Sequence, residues 1–178
     1  MHNGIPEKGI PEIDIAKYPV VKQHLDCYWK QIKQRADQGA TPYHLRSCAY
    51  TEDFSKPKIV WGNLSLSAAF AAAPDDMYIN APCSMIVPFS GYLLAILNSR
   101  LGDWYIRQNG VTRNGGYFEY KPMFVERLPV PVIGHSKEAV FSELSVQPDR
   151  TKQRKVDAMV YDLYGLSKDE IAFIEQNR

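Results

Sequence analysis

The stretch SGYLLAILNSRLGDWYIR, Ser90 to Arg107, decides how this chain folds. Leu93, Leu94, Leu97, Leu101, Trp104 and Tyr105 recur at intervals of three and four residues. That spacing predicts a helix from Ser90 or Gly91 to about Arg107, with Gly110 just past its end. Upstream, between Thr41 and Pro88, the pattern changes to short β-type runs separated by breakers: Lys58 to Trp61, Leu66 to Phe70, Met77 to Asn80 and Ser84 to Val87. Downstream, Tyr117 to Tyr120 and Phe124 to Leu128 read as further strands, stopped by Pro129 and Pro131, which forbid an interior strand. The combination predicts an α+β fold in which a small antiparallel or mixed sheet packs with two main helices.

The second main helix lies further out. Val21, Leu25, Tyr28, Trp29 and Ile32 share a helical spacing, Pro19 opens the segment and Gly39 follows it, which predicts a helix over Val20 to Ala36. Before it, His2 to Asp14 contains two Gly-Ile-Pro triplets and reads as an irregular or edge-strand lead-in. Beyond Pro131 the composition turns polar up to Arg150, and then two helices are signalled. Val156, Met159, Val160 and Leu163 share a face, Gly165 ends that helix, and Ser167 with Glu170 forms a capping box for the next. The expected organisation is an α+β domain over 1–131, a linker over 132–149 and a C-terminal helical pair over 150–178.

Composition sets the outer bounds. With 45% hydrophobic and 23% charged residues the 178-residue chain is globular in character, and eleven tyrosines give it a high aromatic share. A net charge of +1 supplies no global attraction for polyanions, so any nucleic-acid contact must rest on local cation clusters. No signal-peptide core and no apolar run of membrane-spanning length occur, and a soluble, cytoplasmic protein is expected. Cys27, Cys48 and Cys83 are widely spaced, with no Cys-x-x-Cys pair to suggest a zinc site or redox centre, and are expected to be core thiols in a reducing compartment.

Catalytic motifs are scarce. There is no glycine-rich cofactor loop after a first strand, no Asn-Pro-Pro-Tyr turn for a flipped base, and the four histidines show no ligand spacing. Pro74-Asp75 with Glu119-Tyr120-Lys121 matches formally the pattern by which metal-dependent nucleases hold an ion, Glu119 and Lys121 sharing one strand face. A match so short arises readily by chance, and Ala71 to Asp76 reads as a turn rather than a strand end. The loop Arg113-Asn114-Gly115-Gly116-Tyr117 carries the two side chains best suited to bidentate base reading, arginine for guanine and asparagine for adenine. Composition alone fits a solvated hairpin loop equally well.

Several stretches, taken in order, resemble the TaqI-like C-terminal specificity domain of type IIG restriction-modification enzymes and related DNA adenine methyltransferases. They are Tyr18-Pro19 with His24-Leu25, then Arg35-Ala36-Asp37-Gln38-Gly39-Ala40-Thr41-Pro42-Tyr43-His44-Leu45-Arg46, and Lys56 to Trp61. Tyr92 to Ser99 follows, then Tyr120-Lys121-Pro122 leading into Val125 to Pro131, and finally Val160 to Leu166. The resemblance covers nearly the whole chain. It implies a sequence-specific, non-catalytic target-recognition module whose partner is double-stranded DNA. The methyltransferase and nuclease domains, and the S-adenosylmethionine they use, are expected upstream of this chain, which itself is expected to hold no cofactor or metal.

On that footing the DNA-binding candidates are Arg113, Asn114 and Tyr117 in the loop, with Lys121 and Lys58 beside it, and Trp61, Asn63 and Arg46 elsewhere. Arg46 can equally brace Asp37 in the interior. Asn98 and Ser99 are expected to fix packing rather than touch bases. Two other readings stay open: a stand-alone metal-dependent nuclease, and a truncated structural fragment without DNA binding of its own.

Overall fold

The computed structural model describes residues 3–145 and 148–177. Residues 1–51 and 52–178 form two compact units. In the first, α1 (Pro19–Asp26) and α2 (Trp29–Ile32) occupy the region expected to be one helix. Proline at the first helical position starts α1, and the chain leaves helical geometry at Tyr28. Helices of this length depend on tertiary packing, and neither α1 nor α2 has a buried residue to hold a longer helix together. The loop that follows is braced by polar contacts. His44, buried, meets Thr41 Oγ1 at 2.7 Å through Nδ1 and the Ile13 carbonyl at 2.8 Å through Nε2, while Arg35 Nη2 donates to the His44 carbonyl at 2.5 Å.

The second unit is α+β. Strand β1 (Lys58–Gly62) lies between β3 (Ala71–Ala73) and β4 (Cys83–Ile86), antiparallel to both, and β2 (Leu64–Ser65) pairs antiparallel with β5 (Phe118–Glu119). Helices α3 (Gly91–Asn98) and α4 (Arg100–Asn109) share the predicted Ser90-to-Arg107 region. Ser90 caps α3. The predicted helix is interrupted by Ser99, fully buried, whose backbone is extended and whose Oγ accepts from the Gly102 amide at 3.0 Å as the cap of α4. The core joins Ile59, Trp61 and Phe70 to Ile96, Leu97 and Ile106, with Tyr120, Phe141 and Val160 completing it. Each fully buried large aliphatic side chain contributes about 1.5–3 kcal/mol.

Three expected elements differ. Leu66 to Phe70 is not a strand. The Asn98 side chain takes the place of a strand neighbour, accepting from the Phe70 amide at 3.0 Å and donating to its carbonyl at 2.9 Å. Met77 to Asn80 is irregular and carries exposed Met77 and Tyr78, so no buried face rewards a pleat, and β3 forms earlier instead, where Ala71 to Asp76 had read as a turn. Phe124 to Leu128 begins in helix α5 (Pro122–Val125), because Pro122 is pre-set for a first helical turn.

The expected linker 132–149 contains helix α6 (His135–Ser145), which packs on α3. Phe141 is its one fully buried residue, 5.2 Å from the Tyr92 ring, and a Cβ on Gly91 would lie 2.7 Å from Ser142. The close contact therefore depends on a glycine across the interface. The C-terminal pair is present as α7 (Arg150–Tyr164) and α8 (Lys168–Gln176). Gly165 is in the left-handed conformation between them, and the Ser167–Glu170 capping box opens α8. The three cysteines are exposed thiols rather than core residues. No helix among the described residues is long and apolar enough to cross a membrane.

Candidate functional site

Residues 111–119 form a hairpin. The Arg113 amide donates to the Tyr117 carbonyl at 2.7 Å, Thr112 bridges Phe118, and the Glu119 amide donates to the Val111 carbonyl at 3.0 Å. Gly115 and Gly116, both at φ near +80°, turn the tip, a conformation that costs other residues their Cβ clearance. Arg113, Asn114 and Tyr117 are all exposed on this tip.

At the base of the hairpin stands Glu119, 5% exposed. Its Oε1 accepts from Arg113 Nε at 2.6 Å and is in ion-pair contact with Arg113 Nη2, and its Oε2 meets Lys121 Nζ at 2.9 Å. The hydrogen bond from Lys121, followed by that from Arg113, holds the Glu119 carboxyl below the usual glutamate range. The carboxylate is thus kept ionised between two cations whose side chains remain about half exposed. Together with Asn63, Pro82, Thr112 and Asn114 these three residues line a recess of about 580 Å³.

The other candidates separate. Asn63 belongs to the recess, and its backbone ties it there. Its carbonyl accepts from the Tyr120 amide at 2.9 Å, its amide donates to the Pro82 carbonyl at 3.1 Å, and its side-chain oxygen accepts from Ser84 Oγ at 2.7 Å. Lys58 does not stand beside the loop as a free cation. It is 0% exposed, with Nζ donating to the Pro74 carbonyl at 3.1 Å, because as the first residue of the central strand it is covered by its neighbours. Trp61 is likewise interior, its indole N–H donating to the Tyr120 carbonyl at 2.6 Å. Both side chains are buried in the second unit.

Arg46 lies in the other unit. It pairs with Asp37 at 3.5 Å, but on the surface rather than in the interior, with its side chain 75% exposed. So exposed a pair is worth about 0–1 kcal/mol, and the guanidinium can turn to another anion at little cost.

The formal nuclease pattern is divided between the two sheets. Asp75 follows β3 of the three-stranded sheet, whereas Glu119 is on β5 of the other. Both Glu119 oxygens are occupied by cationic side chains. Among the described residues no group of three or more His, Cys, Asp or Glu is placed to hold a metal ion.

Glu119 as an ionic hub went unread in the sequence. Its shared strand face with Lys121 was visible, but its pairing with Arg113 depends on the register of the hairpin. Residues 12–130, 119 of the 178, match the family model described as the TaqI-like C-terminal specificity domain. No curated protein sequence matches the chain.

Proposed function

The chain belongs to the TaqI-like C-terminal specificity domain family, DNA-recognition modules of restriction-modification systems, and from that premise we propose that the hairpin tip and the recess at its base are its base-reading edge. The observation that carries this reading is the Arg113–Glu119–Lys121 ion triad on a glycine-turned hairpin. It holds an arginine and a lysine half exposed beside Asn63 and Asn114 in a region otherwise near neutrality. Arginine and asparagine are the side chains whose donor patterns match base edges, and lysine serves as a point charge for phosphate. The hairpin is mounted on β5 and closed by backbone hydrogen bonds, the usual arrangement of a recognition loop on a rigid support.

In this reading the chain is non-catalytic. Methyl transfer, S-adenosylmethionine and any cleavage activity reside in methyltransferase and nuclease domains of a type IIG system with which it works. Arg46, exposed and weakly paired, is a second contact to phosphate.

Duplex binding measured at two salt concentrations tests the proposal. Arg113→Ala is expected to weaken the preferred site by about 1–3 kcal/mol and relax discrimination there, while Lys121→Ala weakens all duplexes alike and lowers the salt slope by about one. If Arg113→Ala leaves affinity and preference untouched, the loop is a solvated hairpin and the assignment is wrong.

A further inference from the structure

We infer that Glu119 is the specificity-determining positioning residue of this hairpin, holding Arg113 so that only its end-on fork is free and thereby selecting guanine. The inference rests on the DNA-recognition reading above and deepens it. A guanidinium can present two hydrogen-bonding edges, the side-on pair Nε–H with Nη2–H, and the end-on pair from Nη1 and the outer hydrogen of Nη2. In this hairpin the side-on edge faces Glu119, whose Oε1 accepts from Nε at 2.6 Å and is in ion-pair contact with Nη2. No described residue engages Nη1, and the arginine side chain remains 54% exposed. What it offers a ligand is a planar fork of two donors and no acceptor. Among base edges in the major groove, guanine O6 and N7 supply two adjacent acceptors, while adenine and cytosine each place a donor there.

Glu119 is well suited to fix this orientation because it cannot easily leave. It is almost fully buried, sits in the β2–β5 pair opposite Leu64, and its second oxygen is anchored by Lys121 at 2.9 Å. An arginine aimed by a buried carboxylate loses less side-chain entropy on binding than one that must be ordered from solvent. The same carboxylate lowers the summed charge of the three side chains from +2 to +1, which restrains attraction to DNA of any sequence. Base selection and suppression of indiscriminate binding are therefore two effects of one side chain.

The experiment uses the full chain and a randomised duplex library to define the preferred site, followed by duplexes in which each preferred guanine is replaced. Wild type, Glu119→Gln and Arg113→Lys are compared in affinity, discrimination and salt slope, with circular dichroism to confirm folding. Glu119→Gln is expected to reduce discrimination at one guanine by about tenfold, while affinity for unrelated duplexes rises and the salt slope steepens by about one. Arg113→Lys, an exposed and charge-conserving change that keeps the fold, is expected to lose roughly 5- to 150-fold of discrimination at the same guanine with the salt slope unchanged.

A purely structural glutamate would instead weaken all duplexes together and leave discrimination at the guanine unchanged. That result, or full discrimination in either variant, or an affected base other than guanine, overturns the assignment while leaving the DNA-recognition reading standing. Absence of salt-dependent duplex binding by the wild type overturns both.

Discussion

Replacing Asn98 by alanine removes the one side chain that substitutes for a strand neighbour of Phe70. Its amide makes two hydrogen bonds to a single backbone residue, 3.0 Å from the Phe70 N–H and 2.9 Å to the Phe70 carbonyl. Phe70 is 6% exposed, its ring 5.2 Å from Trp61 and edge-on to Tyr120 at 6.2 Å, so water has poor access to the orphaned groups. Each lost hydrogen bond removes about 1 kcal/mol net, and each buried group left unpaired costs about 1–3 kcal/mol. Partial relaxation limits the sum, and alanine recovers about 0.5 kcal/mol of helix propensity at the end of α3.

The expected loss is therefore about 2–4 kcal/mol. Urea unfolding followed by tryptophan fluorescence, with Trp61 against Phe70 as reporter, measures it as a lowered midpoint at unchanged slope. Asn98→Asp is the sharper control. It keeps the acceptor for the Phe70 amide but sets a carboxylate oxygen against the Phe70 carbonyl, and should cost at least as much as alanine. Because neither change touches residues 111–121, discrimination between duplexes should survive wherever the variants are folded. A loss below about 1 kcal/mol for Asn98→Ala would refute the reasoning, since it would mean that Phe70 finds other partners or that water reaches it.

Two further outcomes follow from the burial of Lys58 and the ionisation of Glu119. Lys58→Met replaces a fully buried ammonium, bonded to one carbonyl, with an apolar chain of similar length. Denaturation should show stability lowered by no more than about 1 kcal/mol, and DNA titrations an unchanged salt slope; a shallower slope would return Lys58 to the phosphate-contacting set. The Glu119 carboxyl is depressed below its ordinary value of 4.5 by Lys121 and then Arg113, so its stabilising contribution is complete above that pH and is lost as pH falls through the lower folded value. The stability difference between wild type and Glu119→Gln should accordingly be flat across neutral pH and shrink only in acid; a difference that fades near neutrality would contradict the ion triad.

The residues with local consequences were legible in the sequence. Gly165 in the left-handed turn after α7 and the Ser167–Glu170 box act over three or four positions, and the apolar spacing of residues 93–105 marks the region of α3 and α4, though not its break at Ser99. The β1 run at Lys58 to Trp61 and the hairpin with its paired glycines were readable for the same reason. What tertiary structure alone decided are matters of coverage and pairing across long separations. The Trp61 indole meets the Tyr120 carbonyl 59 positions away, and Asn98 occupies a strand partner's place beside Phe70, 28 positions away.

Burial of the Lys58 ammonium and exposure of Cys27, Cys48 and Cys83 depend likewise on which elements lie over each position, and residue type carries only a preference for that. Helix α6 was hidden because the short apolar set Val140, Phe141 and Leu144 in a polar segment gains its meaning only from the α3 face that Phe141 meets. Arginine, glutamate and lysine were all visible at 113, 119 and 121. Their union into one site was not, because it depends on hairpin register, and a register shift of one residue would have carried Glu119 to the opposite face.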